Sequence, residues 1–320
     1  MVDRNPSGTR DVLPDEMREL RAMTERIRGV FERAGFGEVY TPALEYERTF
    51  QRDSGSRPAY RLFDEHGNVL VLRSDMTLPI ARLAATRYAT TEPPLRFCYF
   101  AHAYRSVRPQ RGDSREFLQA GVELIGAPSP DGTAEVVTVL CDVLDAAGLE
   151  NYRVGVGDVS LYPALLESLA VDPERRERIL ADLAQGNFVG VEHELDGLPL
   201  TKGDAELLLR VPRMRGGPEI LDGLDGPLHD AGMGMRDVLS LLAPRTAKRV
   251  IFDFGLVRSL GYYTGAVFQV YDPAYGVPLG SGGRYDELLA EFGRPLPAVG
   301  FAVNVERLHI ALTGEERGRG

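Results

Sequence analysis

Two short apolar runs, residues 95–100 and 117–125, flank a segment with four arginines in eleven residues: Arg105, Arg108, Arg111 and Arg115. Both runs have strand character, and Pro109, Gln110, Arg111 and Gly112 between them form a turn signal. Pairing them makes a β-hairpin with a basic tip, so the chain must contain an antiparallel sheet that places this tip at its edge. In the second strand Gln119, Gly121 and Glu123 share one face by the two-residue period. Gly121 leaves room above the backbone between two polar side chains, an arrangement that suits a small polar ligand. Guanidinium forks fit phosphate or carboxylate groups, although an arginine cluster alone is equally a solvated loop with ion pairs.

Around the hairpin the chain alternates helix and strand signals. Pro14, Asp15 and Glu16 suit a first helical turn, and Met17, Leu20, Met23, Ile27, Val30 and Phe31 recur at helical spacing up to Gly35. Residues 36–42 then read as a strand. A second helix is predicted over 133–147, with Ala134, Val137, Leu140, Cys141 and Leu144 as its stripe and Gly148 as its stop; a strand follows at 152–156. Residues 161–243 differ in character. Helix formers are interrupted there by Gly186, Gly190, Gly197, Gly203 and Gly216-Gly217-Pro218, which predicts short helices joined by tight turns.

Several function classes find no support. A net charge of −10 over 320 residues offers no basic footprint for nucleic acid. His66, His102, His193, His229 and His309 lack zinc-ligand spacing, so no metal is implied. Gly280-Ser281-Gly282-Gly283 lacks the Gly-Lys-Ser/Thr ending of a phosphate-binding P-loop. Cys98 and Cys141 fall in apolar segments, as free buried thiols do in a reducing cytosol, and the expected location is cytoplasmic. The sequence shows neither a membrane-length apolar run nor a signal peptide.

The hairpin segment resembles motif 2 of the class II aminoacyl-tRNA synthetases, in particular that of histidyl-tRNA synthetase, Arg-x-Glu-Arg-Pro-Gln-Arg-Gly-Arg-x-Arg-x-Phe-His-Gln-x-Gly-x-Glu. Further matches follow in order. Gly8-Thr9-Arg10-Asp11 resembles the family's opening, Leu72-Arg73-Ser74-Asp75-Met76-Thr77 its amino-acid segment, and Arg258-Ser259-Leu260-Gly261-Tyr262-Tyr263 its histidine-specific motif. Gly282-Gly283-Arg284-Tyr285-Asp286, running on to Glu306-Arg307-Leu308, resembles motif 3. The resemblance implies an α+β chain with the class II synthetase catalytic-like fold, an antiparallel sheet flanked by helices, spanning residues 1–320. It implies that 161–243 is a helical insertion, that the C-terminal anticodon-binding domain is lacking, and that the first helix and strand form a self-dimer contact.

The departures from the family pattern carry the functional expectation. Val107 stands where the synthetase has a glutamate, and it cannot accept a hydrogen bond from an adenine amino group or hold an ATP-bound metal. Asp113 replaces an arginine and would repel the polyphosphate. Leu118 replaces a histidine, and Gly261 an aspartate. By contrast Asp75, Thr77, Gln119, Glu123, Arg258, Tyr262 and Tyr263 match positions that hold the amino acid in the synthetase, Asp75 one methylene shorter, with Arg105 a candidate for the ligand carboxylate. The combination resembles the regulatory-subunit family of ATP phosphoribosyltransferase. This implies a non-catalytic partner of the short-form catalytic subunit in the first step of histidine biosynthesis, with histidine as regulatory ligand, no cofactor and no tRNA. Two alternatives stay open: a truncated synthetase-like enzyme that adenylates histidine or another amino acid, using Arg105, Arg258 and Arg307, and a stand-alone histidine sensor.

Overall fold

The computed structural model describes residues 5–51, 60–106, 114–256 and 261–318. Its centre is the hairpin, β5 (Leu95–Tyr104) and β6 (Glu116–Ile125), paired antiparallel from Leu95↔Ile125 to Tyr104↔Glu116. The first strand therefore runs four residues beyond the apolar run that predicts it. Residues 101–104 alternate small and polar side chains, and cross-strand hydrogen bonding rather than hydrophobicity extends the ladder through them.

The chain reaches the hairpin through α1 (Pro14–Arg33), β1 (Gly37–Glu38), β2 (Leu44–Tyr46), α2 (Glu47–Phe50), β3 (Arg61–Phe63), β4 (Val69–Leu72) and α3 (Thr77–Thr86). After it come α4 (Asp131–Ala147), β7 (Arg153–Asp158), α5 (Leu161–Ser168), α6 (Pro173–Ala184), α7 (Phe188–Leu195), α8 (Lys202–Arg210) and β8 (Arg215–Gly216). The remainder is α9 (His229–Leu241), α10 (Pro244–Ala247), β9 (Val250–Asp253), β10 (Ala266–Asp272), β11 (Tyr275–Arg284), β12 (Ala298–Asn304) and α11 (Val305–Gly318).

Nine strands form one sheet in the order β1-β5-β6-β12-β11-β10-β7-β9-β8, and β2-β4-β3 form a small second sheet. The large sheet is mostly antiparallel, as expected, with β1 parallel to β5 and β7 parallel to β9 making it mixed. The strand expected at 36–42 contracts to Gly37–Glu38. Val39 adds one more bond to Cys98 O at 2.9 Å, and Pro42, which has no amide hydrogen, cannot extend the ladder.

The two faces of the hairpin are covered differently. Ala120, Val122 and Leu124 point to the helical layer, where α1 contributes Leu20, Met23, Ile27, Val30 and Phe31 and α4 contributes Val137, Leu140, Cys141 and Leu144. Each fully buried side chain of this size contributes on the order of 1.5–3 kcal/mol. Met17, expected on the α1 stripe, is instead exposed. On the other face Phe97 and Tyr99 pack with Leu78, Ile80 and Ala81 of α3 and with Tyr262 and Tyr285, and the polar side chains of β6 project among them.

Cys98 and Cys141 are buried free thiols in the helical-face core, and desolvation pushes them up to about 11 and about 12 respectively. No helix among the described residues is long and apolar enough to cross a membrane.

Candidate functional site

Glu123 lies in register between Phe97 of β5 and Gly300 of β12. A Cβ built on Gly300 would overlap the Glu123 carboxylate, so glycine there opens the slot in which the carboxylate sits. The group is 1 % exposed. It accepts a hydrogen bond from Thr77 Oγ1 at 2.8 Å, at the start of α3, and another from the Tyr285 hydroxyl, just beyond β11. Burial pushes the carboxyl up to about 8; the two hydroxyl donors work against that rise, and the nearby Asp75 charge adds to it.

Asp75 precedes α3, and its Oδ1 accepts from the Leu78 amide at 3.2 Å, satisfying one of the free donors at the helix start. A wall of phenols closes the slot. The Tyr262 ring is edge-on to Tyr263 at 4.9 Å and to Tyr285 at 5.8 Å between centroids. Tyr263 lies over Gly283, where a built Cβ would come within 2.7 Å of its ring. Tyr99 is buried beside them, its phenol held far from ionisation first by burial and then by the Glu123 and Asp75 charges.

Tyr99 also corrects an expectation. The space above Gly121 is not free for a ligand: Tyr99 is the cross-strand partner of Gly121, and its hydroxyl, with the Phe301 carbonyl, occupies the position a Cβ would take. Gln119, on the same face nearer the hairpin tip, is 7 % exposed, and its Oε1 is buried without a hydrogen-bond partner among the described residues.

The structure thus brings Asp75, Thr77, Glu123, Tyr262 and Tyr263 into one cluster, with Gln119 further along the same strand face. Arg105 follows β5, its guanidinium 4.7 Å from the centroid of the Phe117 ring, which shares the β6 face of Gln119 and Glu123, and its amide donates to Arg115 O at 2.9 Å. Leu118 points to the opposite face and packs against the helical-layer core, so it is not a member of this cluster. Its amide donates to both carboxylate oxygens of Glu306 at 3.0 and 3.1 Å. Val107, Asp113 and Arg258 lie outside the described residues. Arg307 donates to Pro278 O at 2.8 Å.

Sequence reasoning did not single out Tyr99, Tyr285 or Gly300 as site residues. Tyr99 could have been found by extending the hairpin register, which sets a large aromatic opposite a glycine. Tyr285 and Gly300 were visible only as parts of a motif, because their approach to Glu123 depends on the packing of β12 and β11 beside β6.

Two cavities lie away from this cluster. One, of about 570 Å³, is bounded by Val30, Arg33, Asp142, Asp145 and Arg245; the other, of about 410 Å³, by Ser7, Thr9, Tyr60, Leu72, Tyr104 and Arg115. In the first, Arg245 is neutralised by Asp142 at 2.6 Å. In the second, Arg115 is tied to Ser7 O at 2.6 Å and to the Tyr60 hydroxyl at 2.9 Å. Among the described residues no group of three or more histidine, cysteine or carboxylate side chains is placed to hold a metal.

A mixed sheet flanked by helices, with a polar cluster on the face of its central hairpin, is the architecture of the class II aminoacyl-tRNA synthetase catalytic domain. The histidyl-tRNA synthetase family model matches residues 8–308. ATP phosphoribosyltransferase regulatory subunits from Desulforamulus reducens and Symbiobacterium thermophilum are 40 % and 41 % identical to the chain, over 95 % and 96 % of its length and 78 % and 79 % of theirs. A solved ATP phosphoribosyltransferase regulatory subunit/histidyl-tRNA synthetase from Bacillus halodurans superposes with a TM-score of 0.89 at 34 % identity, covering 98 % of this chain and 84 % of that one. Histidyl-tRNA synthetase from Nostoc, at 21 % identity and a TM-score of 0.82 over 99 % of this chain and 76 % of that one, shares the fold. The chain belongs to the histidyl-tRNA synthetase-like family, in its branch of ATP phosphoribosyltransferase regulatory subunits.

Proposed function

We propose that this chain is a non-catalytic regulatory subunit that joins a short-form ATP phosphoribosyltransferase catalytic subunit and carries histidine feedback to the first step of histidine biosynthesis. The observation that carries the reading is the joint presence of an intact amino-acid cluster and of Val107 and Asp113 at positions where a synthetase handles ATP. Histidine would place its ammonium against Glu123, Gln119 and Asp75 and its ring along Tyr262 and Tyr263. Arg258 and Arg105 are the candidates for its carboxylate.

Regulation requires more than binding. A ligand with equal affinity for two assembly states shifts neither, so histidine must bind differently to the active and inhibited complexes. By reciprocity, an assembly state weakened by histidine must weaken histidine binding by the same factor. In this reading the chain is a self-dimer within a cytoplasmic hetero-oligomer, residues 161–243 are an insertion in the synthetase-like domain, and neither tRNA nor a cofactor takes part.

The test is phosphoribosyl-ATP formation by the catalytic subunit, with and without this chain, across a histidine titration, alongside histidine-dependent pyrophosphate exchange into ATP by this chain alone. Activation together with histidine inhibition and no exchange is the expected result. Exchange at a synthetase-like rate would overturn it in favour of the adenylating enzyme. Inhibition unchanged in an activating Tyr263→Ala variant would move the regulatory histidine out of this pocket.

A further inference from the structure

We propose, resting on the amino-acid pocket described under the proposed function, that Glu123 holds a proton while the pocket is empty and that a ligand ammonium takes that proton's place, so that binding releases one proton to solvent. The pocket would then select its ligand by charge as well as by shape.

The groups around Glu123 carry the argument. From α3 come the Thr77 hydroxyl and a second carboxylate, Asp75; from β5, the Tyr99 phenol; from beyond β11, the Tyr285 hydroxyl; and from the segment after β9, Tyr262 and Tyr263. β12 offers only the bare backbone of Gly300. Among the described residues no arginine or lysine is hydrogen-bonded or ion-paired to Glu123. Arg73, whose charge reaches Tyr99, is committed elsewhere, donating to His102 O at 2.7 Å and Thr41 O at 2.6 Å. A carboxylate buried this deeply beside another carboxylate is stable only with a cation or with a proton of its own. The Thr77 and Tyr285 hydroxyls suit both states, since each can donate to the carboxylate or accept from the acid.

The second observation is Gln119, whose buried Oε1 lacks a donor among the described residues. A ligand that carries an ammonium has N–H groups to offer a buried acceptor and a positive charge to offer a buried carboxylate. An ammonium set against Glu123 favours its ionised form, as an opposite charge within about 4–6 Å does, so the proton leaves as the ammonium arrives. The exchange balances: the Glu123 O–H bond breaks, its proton goes to the buffer, and the ligand ammonium keeps all three of its own. With the carboxyl pushed up to about 8, the displaced proton is present through neutral pH. Histidine affinity should therefore rise about tenfold per pH unit below that value, and fall again where the ligand's own amine loses its proton.

The experiment is titration calorimetry of the full chain with histidine at neutral pH in two buffers of different protonation enthalpy, repeated toward pH 9. Release of close to one proton per histidine at pH 7, falling as pH passes about 8 and giving way to uptake where the free ligand's own amine deprotonates, is expected. Glu123→Gln should abolish the buffer dependence. Tyr285→Phe, which withdraws one hydrogen bond from the carboxylate, should shift the loss of proton release to higher pH. Histidine binding without proton release in the wild-type chain, or equal release from Glu123→Gln, would overturn this inference while leaving the pocket in place. No histidine binding at any pH would overturn the pocket reading itself, and this inference with it.

Discussion

Replacing Glu123 by glutamine should remove the pH response of stability that the buried carboxyl imposes. The folded chain holds the Glu123 proton up to about pH 8, whereas the unfolded chain gives it up near 4.5. Between those values the unfolded state binds fewer protons than the folded state, so this group makes stability fall as pH rises. The loss begins above the unfolded value and is complete once pH passes the folded one. At about 1.4 kcal/mol per pH unit, moving from about pH 6 to about pH 8 removes about 2–3 kcal/mol from the wild-type chain.

Glutamine has nearly the same shape and does not titrate, and its amide can be matched by the Thr77 and Tyr285 hydroxyls, each able to donate or accept. Every other titrating group is common to both proteins and cancels in the difference between them. At about 2–4 °C per kcal/mol for a domain of this size class, the midpoint of the variant should gain about 5–10 °C on the wild type across that pH interval. The chain contains no tryptophan, so circular dichroism at a series of pH values is the natural assay. Parallel wild-type and variant profiles, or a gap that moves in favour of the wild type as pH rises, would refute the reasoning.

Two further substitutions test the geometry around that carboxylate. Gly300→Ala would set a methyl group against the Glu123 carboxylate and the Val122 carbonyl, and should lower unfolding stability by about 1–3 kcal/mol; an unchanged urea midpoint would contradict the close approach. Leu118→His restores the synthetase residue but on the helical face of β6, so it should cost about 0.5–3 kcal/mol of stability, leave histidine affinity unchanged and generate no pyrophosphate exchange. Appearance of exchange in that variant would show that position 118 reaches the ATP chemistry.

The hairpin was legible because its information is local. Alternation in 117–125 assigns Gln119, Gly121 and Glu123 to one face, and the structure places them there. The helices starting at Pro14 and ending before Gly148 were equally readable, from a proline at the first turn and a left-handed glycine at the stop. What the sequence hid depends on pairing between distant segments. Tyr285 meets Glu123 across 162 positions, and Tyr99 fills the space above Gly121 only once the register is known. The face of Leu118 was implicit in the same alternation that placed Gln119, but motif matching compares positions and not directions. The parallel pairing of β1 and of β9 depends on crossover connections, which leave no local pattern.

The contact between Glu306 and the Leu118 amide has a mechanical meaning. β12 borders β6 only as far as Gln119, where Asn304 is its last partner. At the next residue the neighbouring strand is replaced by a side chain reaching from the first turn of α11. A ladder yields only by breaking bonds along its length, whereas a carboxylate can release one amide at a cost of about 1.5–3 kcal/mol and accept water in its place. The floor of the pocket at Glu123 is therefore stitched on both sides, while on its β12 side the arm carrying Phe117 and Arg105 is fastened at that point by a clasp.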